Sequence, residues 1–267
     1  MGEAIPRILW QTCPAHVLVG PIRDNVEAMA AANPGWDHRV YDDDAIEVLI
    51  ERDYGRAMLR WYRRISRQYG AARADFFRYL ALYRHGGVYL DVKSRFTRPI
   101  DQVIRAEDRF LLSQWRNEPG APHEGWGLHP ELADVPGGEF QQWHIACVPG
   151  HPFLRAVIER VIAGIATYSI RHTGIGWWGV LRLTGPIAYT RAIVPLLERY
   201  PHRRVADERD LSLEYSVLDQ SGHQGLFRRH YVHNNSPVAR RPGIRGALLH
   251  GYARAFGTDA FRWRERS

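Results

Sequence analysis

Residues 71–94, AARADFFRYLALYRHGGVYLDVKS, constrain the fold more than any other stretch of the 267-residue chain. Asp75, Arg78, Tyr79 and Leu82 fall at i, i+3, i+4 and i+7, so the spacing predicts a helix with a carboxylate and a guanidinium on one face. The helix should stop at Gly86, because glycine takes the left-handed conformation that closes a last turn, and Arg84 and His85 suit the negative end of the dipole. Gly87 then frees the chain to turn. From Val88 to Lys93 the period is two, which puts Val88, Leu90 and Val92 on one face and Tyr89, Asp91 and Lys93 on the other. A helix, a glycine pair and a short apolar strand make one arm of an α/β unit. Ligands of open α/β sheets bind beyond the carboxyl ends of strands, and that is where Asp91 and Lys93 fall. At an arbitrary strand end such a pair would be ordinary surface chemistry; here it marks a candidate site.

The preceding chain alternates as an α/β domain should. Arg7 to Gln11 reads as a buried strand, Ile22 to Ala32 as a helix, Asn33 to Gly35 as a turn and His38 to Tyr41 as a second strand. Asp42, Asp43 and Asp44 spell D-x-D, but they open the helix DDAIEVLIER, where acids cap free amides and complement the dipole. Tyr54 to Gln68 reads as a basic, aromatic helix. With 45% hydrophobic residues and nine tryptophans the chain can build a sizeable core. Cys13 and Cys147 have neither metal-finger spacing nor a disulfide framework, so they read as packing residues suited to a reducing compartment. The N-terminus lacks a signal-peptide pattern and no run of about eighteen apolar residues occurs. The expectation is a soluble, cytoplasmic protein.

Three stretches resemble a known family. Ala74 to Asp91, in the pattern A-D-x-x-R-Y-x-x-L-x-x-x-G-G-x-Y-x-D, together with IPRILWQT at Ile5 to Thr12 and LTGP at Leu183 to Pro186, is similar to the glycosyltransferases whose sugar-binding region carries a DXD motif. This family 32-like group includes initiating α-1,6-mannosyltransferases and α-1,4-galactosyl and N-acetylglucosaminyl transferases. The resemblance implies an α/β fold of GT-A type, a Rossmann-like nucleotide-binding mixed sheet flanked by helices. It implies a single domain over residues 1–267, with the nucleotide-sugar-binding half at about 5–115 and the acceptor-side and closing half at about 116–267. The implied reaction moves a hexosyl group from a UDP- or GDP-sugar to a hydroxyl of a glycan or lipid-linked acceptor, with retention of configuration, in polysaccharide or glycoconjugate synthesis.

Carried over by residue, Asp75 and Arg78 match the family's helix acid and base, which contact the donor's sugar and phosphates. Asp91 matches the first aspartate of DXD. Gly86, Gly87 and Tyr89 belong to the same donor-binding motif. Trp10, Gln11 and Thr12 end the first strand where the base of a nucleotide would lie, and Trp10 is open between core packing and base stacking. Thr184 reads as an N-cap, Gly185 as a point of close backbone approach and Pro186 as a first-turn proline, so helix amides there would cradle a sugar or an anion.

Lys93 replaces the second aspartate of DXD, and an ammonium cannot coordinate a cation. Divalent ions such as Mg²⁺ or Mn²⁺ on a diphosphate want oxygen ligands. Two outcomes are open. Either Lys93 supplies the positive charge that a metal would bring to the leaving diphosphate, or Asp91 and a distant group, with His250 in ALLHGYARAF the leading candidate, still hold the metal.

A net charge of +7 suits nucleotide-sugars, anionic lipids, acidic polysaccharides or nucleic acids. No nucleic-acid motif accompanies it, so no nucleic-acid partner is expected. The basic clusters at Arg60–Arg67, Arg203–Arg204 and Arg240–Arg245 read as solvated faces or as a patch for the inner face of a membrane bearing a lipid-linked acceptor. The proline- and glycine-rich residues 116–139 should be irregular and mobile, and suit acceptor recognition. Trp177 and Trp178 suggest a sugar-stacking wall, although two adjacent indoles cannot both face inward on a strand, and His144 reads as a structural histidine. The missing second aspartate leaves a non-catalytic nucleotide-sugar or carbohydrate binder as the alternative function. A glycosidase is disfavoured because no carboxylate pair is marked by spacing.

Overall fold

The computed structural model describes residues 4–14, 17–218 and 236–240. Its first elements are β1 (Ile8–Thr12), α1 (Gly20–Ala32), β2 (Asp37–Tyr41), α2 (Asp43–Tyr62), α3 (Gly70–His85) and β3 (Gly87–Leu90). There follow β4 (Arg95–Phe96), β5 (Leu111–Leu112), β6 (His144–Cys147), α4 (Pro152–Ala166), α5 (Ile170–Thr173), α6 (Gly176–Leu183), α7 (Pro186–Ile193), β7 (Arg203–Arg204) and β8 (Leu213–Glu214). The main sheet has the order β2-β1-β3-β6, with β1 parallel to both β2 and β3 and β6 antiparallel to β3. Two short ladders, β4–β8 and β5–β7, lie outside it.

Every position of β3 is buried, as befits a strand covered on both faces. Leu9, Val88 and Leu90 pack with Met29 of α1 on one face, while Trp10 and Tyr89 join residues of α2, α3 and α4 on the other. The α/β class, the mixed sheet and its helical flanks therefore follow the expected pattern. The larger core cluster draws on residues from Trp10 to Ala239.

α3 ends as its sequence predicts, with Gly86 as C-cap at φ +66°. A Cβ on Gly86 would lie 2.7 Å from Pro149 Cδ, and one on Gly87, at φ +100°, only 2.5 Å from the Ile8 carbonyl oxygen. Only glycine fits this close approach of β3 to β1. Asp42 caps α2, its carboxylate accepting from the amides of Asp44 (3.2 Å) and Ala45 (2.9 Å). Gly55 breaks that helix at φ +76°, so the basic helix expected from Tyr54 onward is the segment after this break, and it stops at Tyr62.

Much of the basic charge is engaged within the fold. Glu47 accepts from Arg73 (2.7 Å), Arg63 (2.8 Å) and Arg67 (3.4 Å), tying α2 to α3. Arg203 pairs with Asp108 at 2.7 Å and Arg204 donates to Gln114. Arg241 and Arg245 lie outside the described residues. Cys13 and Cys147 are buried and unpaired, and no described helix is long and apolar enough to cross a membrane. Residues 116–139 are irregular as expected, yet anchored: Glu139 accepts from the Trp115 indole (2.7 Å) and lies 2.7 Å from His129 Nε2.

Candidate active site at the end of β3

Asp75 and Arg78 sit on the buried face of α3, directed at the carboxyl end of β3, and the helical spacing that suggested their pairing brings them to 3.2 Å. Arg78 also reaches Asp91, one residue past the strand, at 3.1 Å. Its guanidinium donates to the carbonyl oxygen of Gln142 (2.5 Å) and to Gln142 Oε1 (3.0 Å), and it lies 4.3 Å over the Tyr89 ring. Asp75 in turn accepts from Thr184 Oγ1 (2.9 Å) and Gln142 Nε2 (3.1 Å). Burial raises the Asp75 carboxyl above its usual range, an effect that Arg78 only partly offsets. Burial also works against the Arg78 cation, but Tyr89 and the two carboxylates outweigh it and raise its pKa.

The chain Asp75–Arg78–Asp91 has one open end. The side chains of Asp75 and Arg78 are 4% and 5% exposed, whereas that of Asp91 is 26% exposed. A ligand approaching the strand end meets Asp91 first. Asp75 and Arg78, expected at the donor, are both enclosed, and Arg78 ties them to the more exposed Asp91. Tyr89 donates to Asp91 at 3.2 Å and lies 3.0 Å from Thr12 Oγ1, so Thr12 joins the same corner from β1.

Other expected site residues take different places. Trp10 is fully buried, donates its indole N–H to the Gly86 carbonyl (3.0 Å) and packs among Tyr41, Phe77 and His85. It keeps no free face on which a base could stack. Gln11 points to the opposite side of β1, with Oε1 2.8 Å from His38 Nε2 and its own Nε2 buried without a partner. Gly86 and Gly87 stand at the start of β3, some 13 Å from Asp91 at the usual rise of about 3.3 Å per residue, so their part is in strand approach. Thr184 is not an N-cap. It closes α6, Gly185 is the N-cap of α7, and Pro186 opens that helix. Thr184 instead offers its hydroxyl to Asp75 and its carbonyl to Tyr79 Oη (2.7 Å). A Cβ on Gly185 would lie 2.8 Å from Leu181 Cα, so the backbone approach expected there is between α6 and α7.

Lys93 is not on the strand, which ends at Leu90; it sits in a turn closed by the bond from Ser94 N to Asp91 O (2.8 Å). Its Nζ lies 3.8 Å from the centroid of the Tyr215 ring. Among the described residues it has no ion pair and no side-chain hydrogen bond, and burial lowers its pKa to about 8 against the pull of Asp91. The turn is tied down: Asn25 of α1 donates to the carbonyls of Val92 (3.0 Å) and Ser94 (2.9 Å), Ser94 Oγ to that of Tyr215 (2.6 Å), and Val217 N to that of Lys93 (2.8 Å).

Gln142, Asn25 and Tyr215 were not singled out by sequence. Asn25 carried a readable signal, since it interrupts the buried stripe of Ile22 and Met29 on α1. Gln142 precedes β6, whose antiparallel pairing of Leu90 with His144 carries it past Asp91. His144 is a structural histidine, buried beside Ser113 (2.8 Å) with its pKa lowered to about 3 by burial. Trp177 and Trp178 begin a helix rather than a strand, and both face outward.

The donor set for a divalent ion is poor. Among the described residues no group of three His, Cys, Asp or Glu side chains is placed to hold a metal. Among the described residues Asp91 is the sole carboxylate at the open end, and one of its oxygens already faces Arg78 and Tyr89. His250 lies outside the described residues. The described side chains thus do not fit a protein-held metal.

Residues 22–111, which contain Asp75, Arg78, Asp91 and Lys93, match the family described as "Glycosyltransferase sugar-binding region containing DXD motif". Over this region the chain is similar to that family. An initiation-specific alpha-1,6-mannosyltransferase of Candida albicans is 32% identical over 133 residues, covering 48% of this chain and 34% of that protein. One of Schizosaccharomyces pombe is 27% identical over 226 residues, covering 80% of this chain and 54% of that protein. The chain therefore spans about half the length, or less, of these relatives. The solved structure "PaToxG Glycosyltransferase" is 15% identical, with 86% of each chain covered and a TM-score of 0.47.

Proposed function

We propose that the protein transfers a hexosyl group from a nucleoside-diphosphate sugar to a hydroxyl of a glycan or lipid-linked acceptor, with retention of configuration. The observation that carries this reading is Asp91, the exposed end of a buried acid–base–acid chain, at the carboxyl end of a sheet strand inside the matched region. Mannose is the sugar named for both mannosyltransferase relatives, and we take it as the first sugar to test.

In this reading Asp91 accepts from hydroxyls of the donor, held in place by Arg78 and Tyr89, while Asp75, Gln142 and Thr184 fix Arg78. The bond from the anomeric carbon to the diphosphate breaks with its electron pair leaving on the diphosphate. The acceptor oxygen forms the new bond, and its proton passes to the leaving phosphate oxygen. Lys93, a cation without an ion pair among the described residues, stabilises the charge that develops on the diphosphate. We propose, accordingly, that turnover needs no added metal.

The test is incubation with a panel of UDP- and GDP-sugars, in Mn²⁺ or in chelator, with released nucleotide read by chromatography. Turnover in chelator is the expected result. Binding and turnover of no donor in either condition would sink the transferase reading. Turnover that requires Mn²⁺ would sink the role of Lys93. The replacement of the second aspartate by Lys93 favours one other reading, a non-catalytic nucleotide-sugar binder, which the same panel separates by binding without release.

A further inference from the structure

Two features of the α5–α6 region have no part in the β3 corner. Ile170, Trp177 and Trp178 are 52%, 39% and 40% exposed. Successive helical residues lie about 100° apart, so both indoles fit on the outer face while Gly176, Gly179, Val180 and Leu183 pack inward. The indole centroids are 4.8 Å apart, and His129 touches both from the loop that carries the exposed Leu128. Trp177, Trp178 and His129 therefore form one contiguous aromatic patch, with the exposed Leu128 next to His129 in sequence.

Beside it opens a cleft of about 590 Å³ lined by Arg160, Arg182 and Arg191 together with His172, Thr173 and one carboxylate, Glu131. Arg182 belongs to both features, its guanidinium 5.1 Å over the Trp178 ring while its Nε donates to Glu131. Arg182 and Arg191 have acidic partners in Glu131 and Asp134. Among the described residues Arg160 has none, and burial and the like charge of Arg191 both weigh against its cation. A guanidinium in a cleft with another guanidinium as neighbour is built for an anion with several oxygens.

We propose that this face docks on an anionic phospholipid surface, with Ile170, Trp177 and Trp178 in the interfacial layer and Arg160 on a headgroup phosphate. Indole rings favour that layer because one edge is apolar and the other polar. Soluble phosphate would use the arginines and leave the indoles idle; a lipid surface uses both. α6, roughly 12 Å long over its eight residues, runs from this face to Thr184, whose hydroxyl bonds Asp75 of the β3 corner. If the transfer reading holds, that is where a lipid-linked hydroxyl is presented.

Flotation of the full chain with vesicles of phosphatidylcholine alone, or with roughly one-third phosphatidylglycerol, reads docking without donor or acceptor. Binding to the anionic vesicles alone, weakening with salt, is expected. Arg160→Gln should bind about fivefold more weakly, and the Trp177→Ser, Trp178→Ser pair tenfold or more, with melting midpoints unchanged. Equal binding to both vesicle types, no binding to either, or anionic binding unchanged by these substitutions overturns the proposal. So does full release from vesicles by millimolar inorganic phosphate at constant ionic strength, which would make soluble phosphate the ligand. Should the tryptophan pair fail to fold, Arg160→Gln and Ile170→Ser carry the same test.

Discussion

The protein holds two buried networks of carboxylate and guanidinium on opposite sides of α3. In one, Glu47 takes hydrogen bonds from three arginines. In the other, Arg78 stands between Asp75 and Asp91. The first has excess base and an enclosed acid. The second has excess acid, one of whose members reaches solvent at a strand end. Burial pushes both enclosed acids up, but the hydrogen bonds of Arg73 and Arg63 overcome it and hold Glu47 below its usual range, while Asp75 stays raised. Enclosed charge alone is thus no sign of a site; an unneutralised member left open at a place where ligands bind is one.

Substitutions can separate the two networks. Glu47→Ala strands Arg73 without a partner and should cost about 3–5 kcal/mol in urea unfolding, while the nucleotide released per folded molecule stays near wild type. Activity lost in proportion beyond the folded fraction would undo the contrast. Asp91→Ala should behave in the reverse way, lowering turnover about 10²–10³-fold, roughly 3–4 kcal/mol, with the melting midpoint shifted by no more than a few degrees. Global unfolding of that variant would make Asp91 a structural residue like Glu47.

Acid reaches the β3 corner through a neighbour. His144, on the strand that follows Gln142, and His151 have pKa values lowered to about 3 and about 4, mainly by burial. Unfolded, both bind protons near pH 6.5. As pH falls through 6.5 the unfolded chain gains protons that the native state refuses, so stability is full above that pH and drops below it. At pH 5 the loss is about 2 kcal/mol per histidine, and His144→Gln should remove roughly half of the fall in the urea midpoint between pH 6.5 and 4, the rest belonging to His151. A midpoint level over that window would contradict the buried neutral imidazoles.

Lys93→Met tests the cation beside the excess acid. It should lower turnover about tenfold, roughly 1.4 kcal/mol, in chelator and in Mn²⁺ alike; full activity would remove Lys93 from the reaction. The smallest effect belongs to the other D-x-D. Asp42→Ala removes a helix cap and should cost about 1 kcal/mol with unchanged turnover, so a large activity loss there would mean that the wrong aspartates had been chosen.

The helix and strand of residues 71–94 were legible because their periods are strong and Gly86 is a sharp stop. The Asp75–Arg78 pair and the capping by Asp42 were legible for the same local reasons. Trp10 was not, since an indole at a strand end reads alike for a core residue and a base platform, and only the packing of Tyr41, Phe77 and His85 decides between them. Thr184 was read as a cap from local chemistry, but its hydroxyl is taken by Asp75, 109 residues away. Gln142 depends on the register of β6 against β3, and strand register between distant segments is not written in either segment alone. Lys93 left the strand because pairing stops at Leu90, where the Asn25 clamp imposes a turn.

That clamp has a kinetic meaning. The loop carrying Asp91 and Lys93 is held by α1 and by the segment around Tyr215 before any ligand arrives, so its rotational freedom is already gone in the free protein. Ordering it adds no entropic penalty to association. Asn25→Ala should therefore act chiefly by slowing productive capture, leaving a corner that must be reassembled at each encounter although none of the residues facing the ligand has changed.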